Sequence, residues 1–170
     1  MGYVNDTNMS QMIPPSDFEM SAGTWAVSES SNLVGRAKNA ADEAVTVLIP
    51  VRVPSNASAL KGAKLESIDV WYAIGTAAAD DFATVELEKC TLGVDDVAPA
   101  GSAVTITQDA GHDTAAERKA VDSDHCLTAT LSSPAWVDDG DLYWLKLVID
   151  CAATTVLTFY GARANYTLRV

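Results

Sequence analysis

The side chains best suited to chemistry in this chain are two histidines, three cysteines, several paired aspartates and four tryptophans. A zinc centre needs three or four nitrogen, sulfur or carboxylate ligands at defined spacing. His112 and His125 are too few, and His125 adjoins Cys126 in a run that reads as a strand, so the two point to opposite faces. Cys90, Cys126 and Cys151 lie far apart without a CxxC pair, which is no disulfide framework. They read as small apolar strand residues, although two could bridge if the fold set them side by side. There is no Gly-x-Ser-x-Gly elbow, phosphate loop or dinucleotide fingerprint. The pairs Asp80-Asp81, Asp95-Asp96 and Asp138-Asp139 remain as acid–base candidates, since glycoside hydrolysis uses two carboxylates at a set separation. All three pairs read as turn residues, where aspartate accepts backbone hydrogen bonds. Asp138-Asp139-Gly140-Asp141 could offer oxygens to calcium, but it lacks the spacing and distal glutamate of an EF-hand loop. The expectation is a protein that is not an enzyme, with no metal and no cofactor.

Binding is better provided for. Trp25, Trp71, Trp136 and Trp144 could form an aromatic platform for sugars, against the commoner use of such rings in core and interface packing. Trp144 shares parity with Lys146 and Val148 and reads as half-buried. Trp71, on the polar parity of its run, and Trp136, in the loop after Pro134, are the candidate surface contacts.

The elements that must position these residues are strands. From Gly23 onward, alternating runs recur at 24–28, 43–50, 65–74, 82–91, 103–107, 126–131, 142–150 and 155–168, with Gly, Asp, Pro and Ser clusters between them. In the run Leu65–Ile74, the core parity after the first pair is Ile68, Val70 and Ile74. Only Asp113–Val121 suggests a short helix. The pattern predicts an all-β, eight-stranded antiparallel sandwich over residues 23–170, most naturally a jelly roll. Residues 1–22 read as an extended N-terminal arm, polar and kinked at Pro14-Pro15. Met9, Met12, Ile13, Pro14, Pro15 and Phe18 are its candidate anchors on a partner.

Bulk properties narrow the partners. A chain of 170 residues with 48% hydrophobic residues can build one self-sufficient core. A net charge of −12 repels phosphate backbones, which argues against nucleic acid. The first residues lack the basic start and apolar run of an export signal, and no stretch is long enough to span a membrane. The expectation is synthesis in a cytoplasm without export.

The run His112-Asp113-Thr114-Ala115-Ala116-Glu117-Arg118, the strand Asp124–Leu131 after it and the ending Phe159-Tyr160-Gly161-Ala162 together resemble a pattern in tailed-phage virion structural proteins. The resemblance covers about residues 100–168, with a weaker echo at Gly62–Leu65. It implies a jelly-roll capsid decoration subunit on the head surface, assembled in the host cytoplasm. Its partners would be the major capsid protein and copies of itself, as a trimer. It carries no catalytic residues to transfer. Gly161 and Arg118 would be fold determinants, Gly161 at a close backbone approach or a bulge and Arg118 paired with a turn aspartate. The alternative is a carbohydrate-binding sandwich module of a phage fibre or adhesin, which needs an exposed aromatic platform.

Overall fold

The structure, a computed structural model, describes residues 5–30, 33–55, 62–93 and 99–169. Asp95-Asp96 lies outside these residues. The described strands are β1 (Asp6–Ile13), β2 (Glu19–Met20), β3 (Trp25–Ser30), β4 (Leu33–Lys38), β5 (Glu43–Val51), β6 (Ala63–Gly75), β7 (Asp81–Thr91), β8 (Ala100–Val104), β9 (Ile106–Gln108), β10 (Asp122–Leu131), β11 (Asp141–Cys151) and β12 (Val156–Arg169). A 3-10 turn spans Pro15–Asp17, and the one short helix is α1 (Ala115–Arg118).

Two antiparallel sheets pack face to face. One runs β3-β4-β12-β6-β10-β9, with β1 also on β12; the other runs β2-β5-β11-β7-β8. Successive strands from β4 to β7 alternate between the sheets. The chain then makes the β7–β8 hairpin and alternates again through β10, β11 and β12. That connectivity is a jelly roll, with β4, β12, β6 and β10 in one layer and β5, β11, β7 and β8 in the other. The expected sandwich is present, with twelve strands among the described residues in place of eight. β4 escapes a pattern search because Gly35 and Arg36 interrupt its alternation. The run 103–107 divides at Thr105, its two halves joining different sheets.

Residues 6–22 lie on the sandwich of their own chain. β1 pairs antiparallel along β12, from Asp6↔Arg169 to Ile13↔Ala162. All of β1 except Ile13 is exposed, so backbone pairing rather than an apolar face holds it there. Ile13 and Phe18, expected as anchors on a neighbour, are buried in the core, with the Phe18 ring edge-on to Phe159 at 5.8 Å. Burying their apolar surface inside this chain removes it from any partner.

Parity in β6 holds from Ile68 onward: Ile68, Val70, Tyr72 and Ile74 are fully buried. Leu65 is also buried, because the pairing with β12 slips between Asn165 and Tyr166 and inverts the faces. A second slip at Phe159/Gly161 is a bulge, one of the two roles expected of Gly161, whose φ is +144°. It frees Tyr160 to stand on the outer face. Beneath Tyr160 lies Gly35: a methyl there would sit 2.8 Å from the Phe159 carbonyl oxygen and 2.9 Å from Thr158 Cγ2. Gly35→Ala should cost about 1–3 kcal/mol in chemical denaturation, through overpacking against backbone that cannot yield. An unchanged midpoint would contradict this packing.

Candidate functional site

The outer face of the seven-stranded sheet carries a connected set of polar and aromatic side chains. In register, Asp69 stands beside Thr128 on β10 and Arg163 on β12, and Ser67 beside Asn165. The Asp69 carboxylate, only 5% exposed, accepts from Thr128 Oγ1 (2.8 Å), Asn165 Nδ2 (2.9 Å), Arg163 Nε (3.0 Å) and Arg163 Nη2 (2.7 Å). Burial pushes the Asp69 carboxyl up, but the Asn165, Arg163 and Thr128 hydrogen bonds outweigh it and hold it below the usual carboxylate range. Arg163 in turn lies over the Trp71 ring, its Cζ 5.2 Å from the centroid. The carboxylate fixes the guanidinium, and the guanidinium fixes the indole.

Trp71 therefore has one braced face, and it also borders a groove. That groove, about 410 Å³, is lined by Leu33, Trp71, Tyr160, Ser123, Asp124 and Cys126, with Tyr72 and His125 beneath. Ser123 and Asp124 reach it because β10 slips register between Asp122 and His125. Towards the other end of β6, a second recess of about 330 Å³ is lined by Asn8, Met9, Ser10, Glu66, Asn165 and Tyr166. The Asp69–Arg163–Asn165 network lies between the two along β6 and β12.

A histidine pair supports the groove from below. His125 stacks on Tyr72 at 4.5 Å and 8°, and His112 touches both rings. His125 Nε2 is 2.9 Å from the Ala120 carbonyl, which can only accept, so this nitrogen donates. Its Nδ1, 3.1 Å from His112 Nε2, then accepts from that ring. His112 Nδ1 donates to Asp109 Oδ1 at 2.8 Å. Burial raises the Asp109 carboxyl, yet the Thr128 amide, His112 and the Gly111 amide together hold it low, as this pairing requires. Nitrogen-15 NMR of the imidazoles should report a proton on His125 Nε2, bonded to the Ala120 carbonyl. A His125 protonated on Nδ1 alone would contradict the network.

Each sequence candidate has a definite place. Trp71 is at the groove. Trp136 bridges to Lys64 at the start of β6, with Lys64 Nζ 5.9 Å from its centroid, about 20 Å of strand away from Trp71. Trp25 packs on Phe159 at 6.1 Å, and Trp144 is half-buried on the other sheet between Pro50 and Glu88. Met9 and Met12 are exposed on β1. Asp80 precedes β7 and Asp81 opens it, and neither lines the groove. The Asp138–Asp141 loop is closed by Lys89, whose Nζ sits 2.7 Å from Asp141 Oδ2. A lysine there supplies the positive charge that calcium would bring. Among the described residues no cluster of three or more His, Cys, Asp or Glu could hold a metal ion. Cys90, Cys126 and Cys151 are all free, and Cys126, expected to be an apolar strand residue, is exposed at the groove. Among the described residues, Arg118 forms no ion pair with a turn aspartate. It is buried and donates to the carbonyls of Phe82 (2.9 Å), His112 (2.8 Å) and Ala83 (3.2 Å), from a helix whose Thr114–Glu117 capping box sets its start.

Tyr160, Ser123, Asp124 and Arg163 are functional candidates that sequence reasoning missed. Each depends on a bulge or a cross-strand neighbour. The one available hint was the glycine after Tyr160, which marks a bulge.

No protein-family model matches the chain, and no curated protein matches it. Among solved structures it is similar to TmCBM61 in complex with β-1,4-galactotriose, at 8% identity and a TM-score of 0.39, covering 96% of this chain and 88% of that one. It is also similar to an arabinose-bound MgGH51 α-L-arabinofuranosidase, at 8% identity and a TM-score of 0.39, covering 91% of this chain and 24% of that one. Likenesses this distant carry no argument about what the chain binds.

Proposed function

We propose that this jelly roll is a non-catalytic carbohydrate-binding module, and that its ligand is a neutral, linear glycan lying on the outer face of the seven-stranded sheet. The observation that carries the reading is the groove in which Trp71 and Tyr160 stand with Ser123 and Asp124. A sugar presents an apolar C–H face and an edge of hydroxyls. Aromatic walls suit the first, and a hydroxyl and a carboxylate suit the second. Bracing of Trp71 by Arg163 and Asp69 lowers the ordering cost of binding. The second recess supports a chain longer than one residue, since both recesses border the same strands. A net charge of −12, with Asp124 in the groove, disfavours acidic sugars. Hydrolysis needs a second carboxylate across the cleft, and the described lining offers Asp124 alone.

A glycan array probed with the full chain tests this. Retention on neutral oligosaccharides, and none on uronic or sialylated ones, is the expected result. Uniform absence of retention would overturn the reading.

A second reading is a capsid decoration subunit that binds the phage head surface and copies of itself. What favours it is β1, a strand with a free edge that exposes Met9 and Met12, 43% and 62% accessible. Light scattering distinguishes the two. A stable oligomer that Met12→Ser dissociates supports the subunit, and a monomer in both forms removes its support.

A further inference from the structure

The core-facing side of the β3–β4 hairpin runs beyond the cover of the sandwich. In the row of Leu157, Trp25 and Lys38 are paired and covered: Lys38 is fully buried and bonded to Glu43 at 3.0 Å, and Trp25 packs on Phe159. One step outward, Val27 and Arg36 share the row of Phe159, and Val34 follows on the same face. Val27 and Val34 are 69% and 55% exposed, although their side faces the core elsewhere in the sheet. Among the described residues, no strand of the other sheet packs extensively opposite them. The turn Pro14-Pro15-Ser16 reaches across instead, enclosing a recess of about 340 Å³ with Val27, Val34, Gly35 and Arg36.

Among the described residues, Arg36 is the one charged residue of that lining. Its Nε is buried and meets no hydrogen-bond acceptor among the described residues. A buried donor left unpaired is destabilising, and because Arg36 as a whole is only half-buried, a carboxylate in the recess can pair with its guanidinium through a charge-assisted hydrogen bond. The walls around it are apolar and would gain by being covered.

We infer that this recess is a second ligand site, separate from the glycan face, for a small carboxylate with an apolar body. The carboxylate sits on Arg36, and an aryl or short alkyl body lies between Pro14-Pro15 and Val27 and Val34. A glycan suits the walls poorly, and a small inorganic anion would leave both valines in water.

The test uses the full chain, with NMR titration of the valine methyls against phenylacetate, phenylacetamide and acetate. Phenylacetate should shift Val27 and Val34, with acetate and the neutral amide each weaker by about tenfold or more. Arg36→Gln should reduce phenylacetate to the level of the amide. Val34→Ser should weaken phenylacetate while leaving Arg36 in place, and amide spectra of the remaining strands check that each variant is folded. Equal affinity for the amide, undiminished binding by the Gln variant, or no shift at tens of millimolar phenylacetate would each overturn the inference. None of these outcomes depends on whether the outer face binds a glycan.

Discussion

Replacing Trp71 by alanine should remove glycan binding while the jelly roll stays folded. A ring that forms the wall of a desolvated site is worth about 2 kcal/mol or more, a loss of some thirtyfold in affinity. Tyr160→Ala, on the opposing wall, should act in the same direction. The controls come from the other tryptophans: Trp136→Ala and Trp144→Ala remove comparable area at the far end of β6 and on the other sheet, and should leave affinity unchanged. Calorimetric titration with an array-selected oligosaccharide reads all four. Wild-type affinity in the Trp71 variant, or a loss confined to Trp136→Ala, would move the site elsewhere.

Asp69→Ala should be the most destabilising change on the outer face. Asp69 is almost fully buried and accepts hydrogen bonds from Thr128, Asn165 and Arg163. Removing it leaves four donor groups on three side chains without this acceptor, one of the side chains charged. Because Arg163 keeps part of its surface in water, the cost should fall at about 2–4 kcal/mol, near the lower end for broken buried pairs. For a chain of this size that is on the order of 5–15 °C in Tm. The pH dependence has a definite sign. Asp69 is held below its unfolded value of about 3.9, so its contribution is complete above that pH and disappears as pH falls through the lower, folded value. Asp109 and Asp141 are lowered as well and add to the same loss. Thermal melts from pH 7 to pH 2 should show wild-type stability level above about pH 5 and falling below about pH 4, with a shallower fall in the alanine variant. Parallel profiles would mean that the Asp69 network contributes nothing.

The residues that were legible in the sequence are those whose burial leaves a period. Ile68, Val70 and Ile74 alternate because one face of β6 is in the core, and Trp71 falls on the other parity by the same rule. β1 left no such mark: its side chains are exposed apart from Ile13, and its place is set by hydrogen bonds along β12. That is why the segment reads as a free arm, and why Ile13 and Phe18 read as anchors for a partner. The groove was less legible still. Ser123 and Asp124 enter it through a register slip in β10, Tyr160 through the bulge before Gly161, and Arg163 through a neighbour 94 positions away in sequence. A local reading of composition and period carries no term for slips or for cross-strand partners. The His112–His125 contact was hidden for the same reason, since the two stand 13 positions apart and a helical turn between them folds one ring back onto the other.

Amide chemical-shift mapping with an array-selected neutral oligosaccharide locates the bound glycan on the fold. Shifts should cluster at Trp71, Tyr160, Ser123, Asp124 and Cys126, extend along β6 and β12 towards Asn165, and leave β5, β11 and β7 unmoved. A footprint on the five-stranded sheet, around Trp136, or on the β3–β4 recess would contradict a glycan site on the outer face.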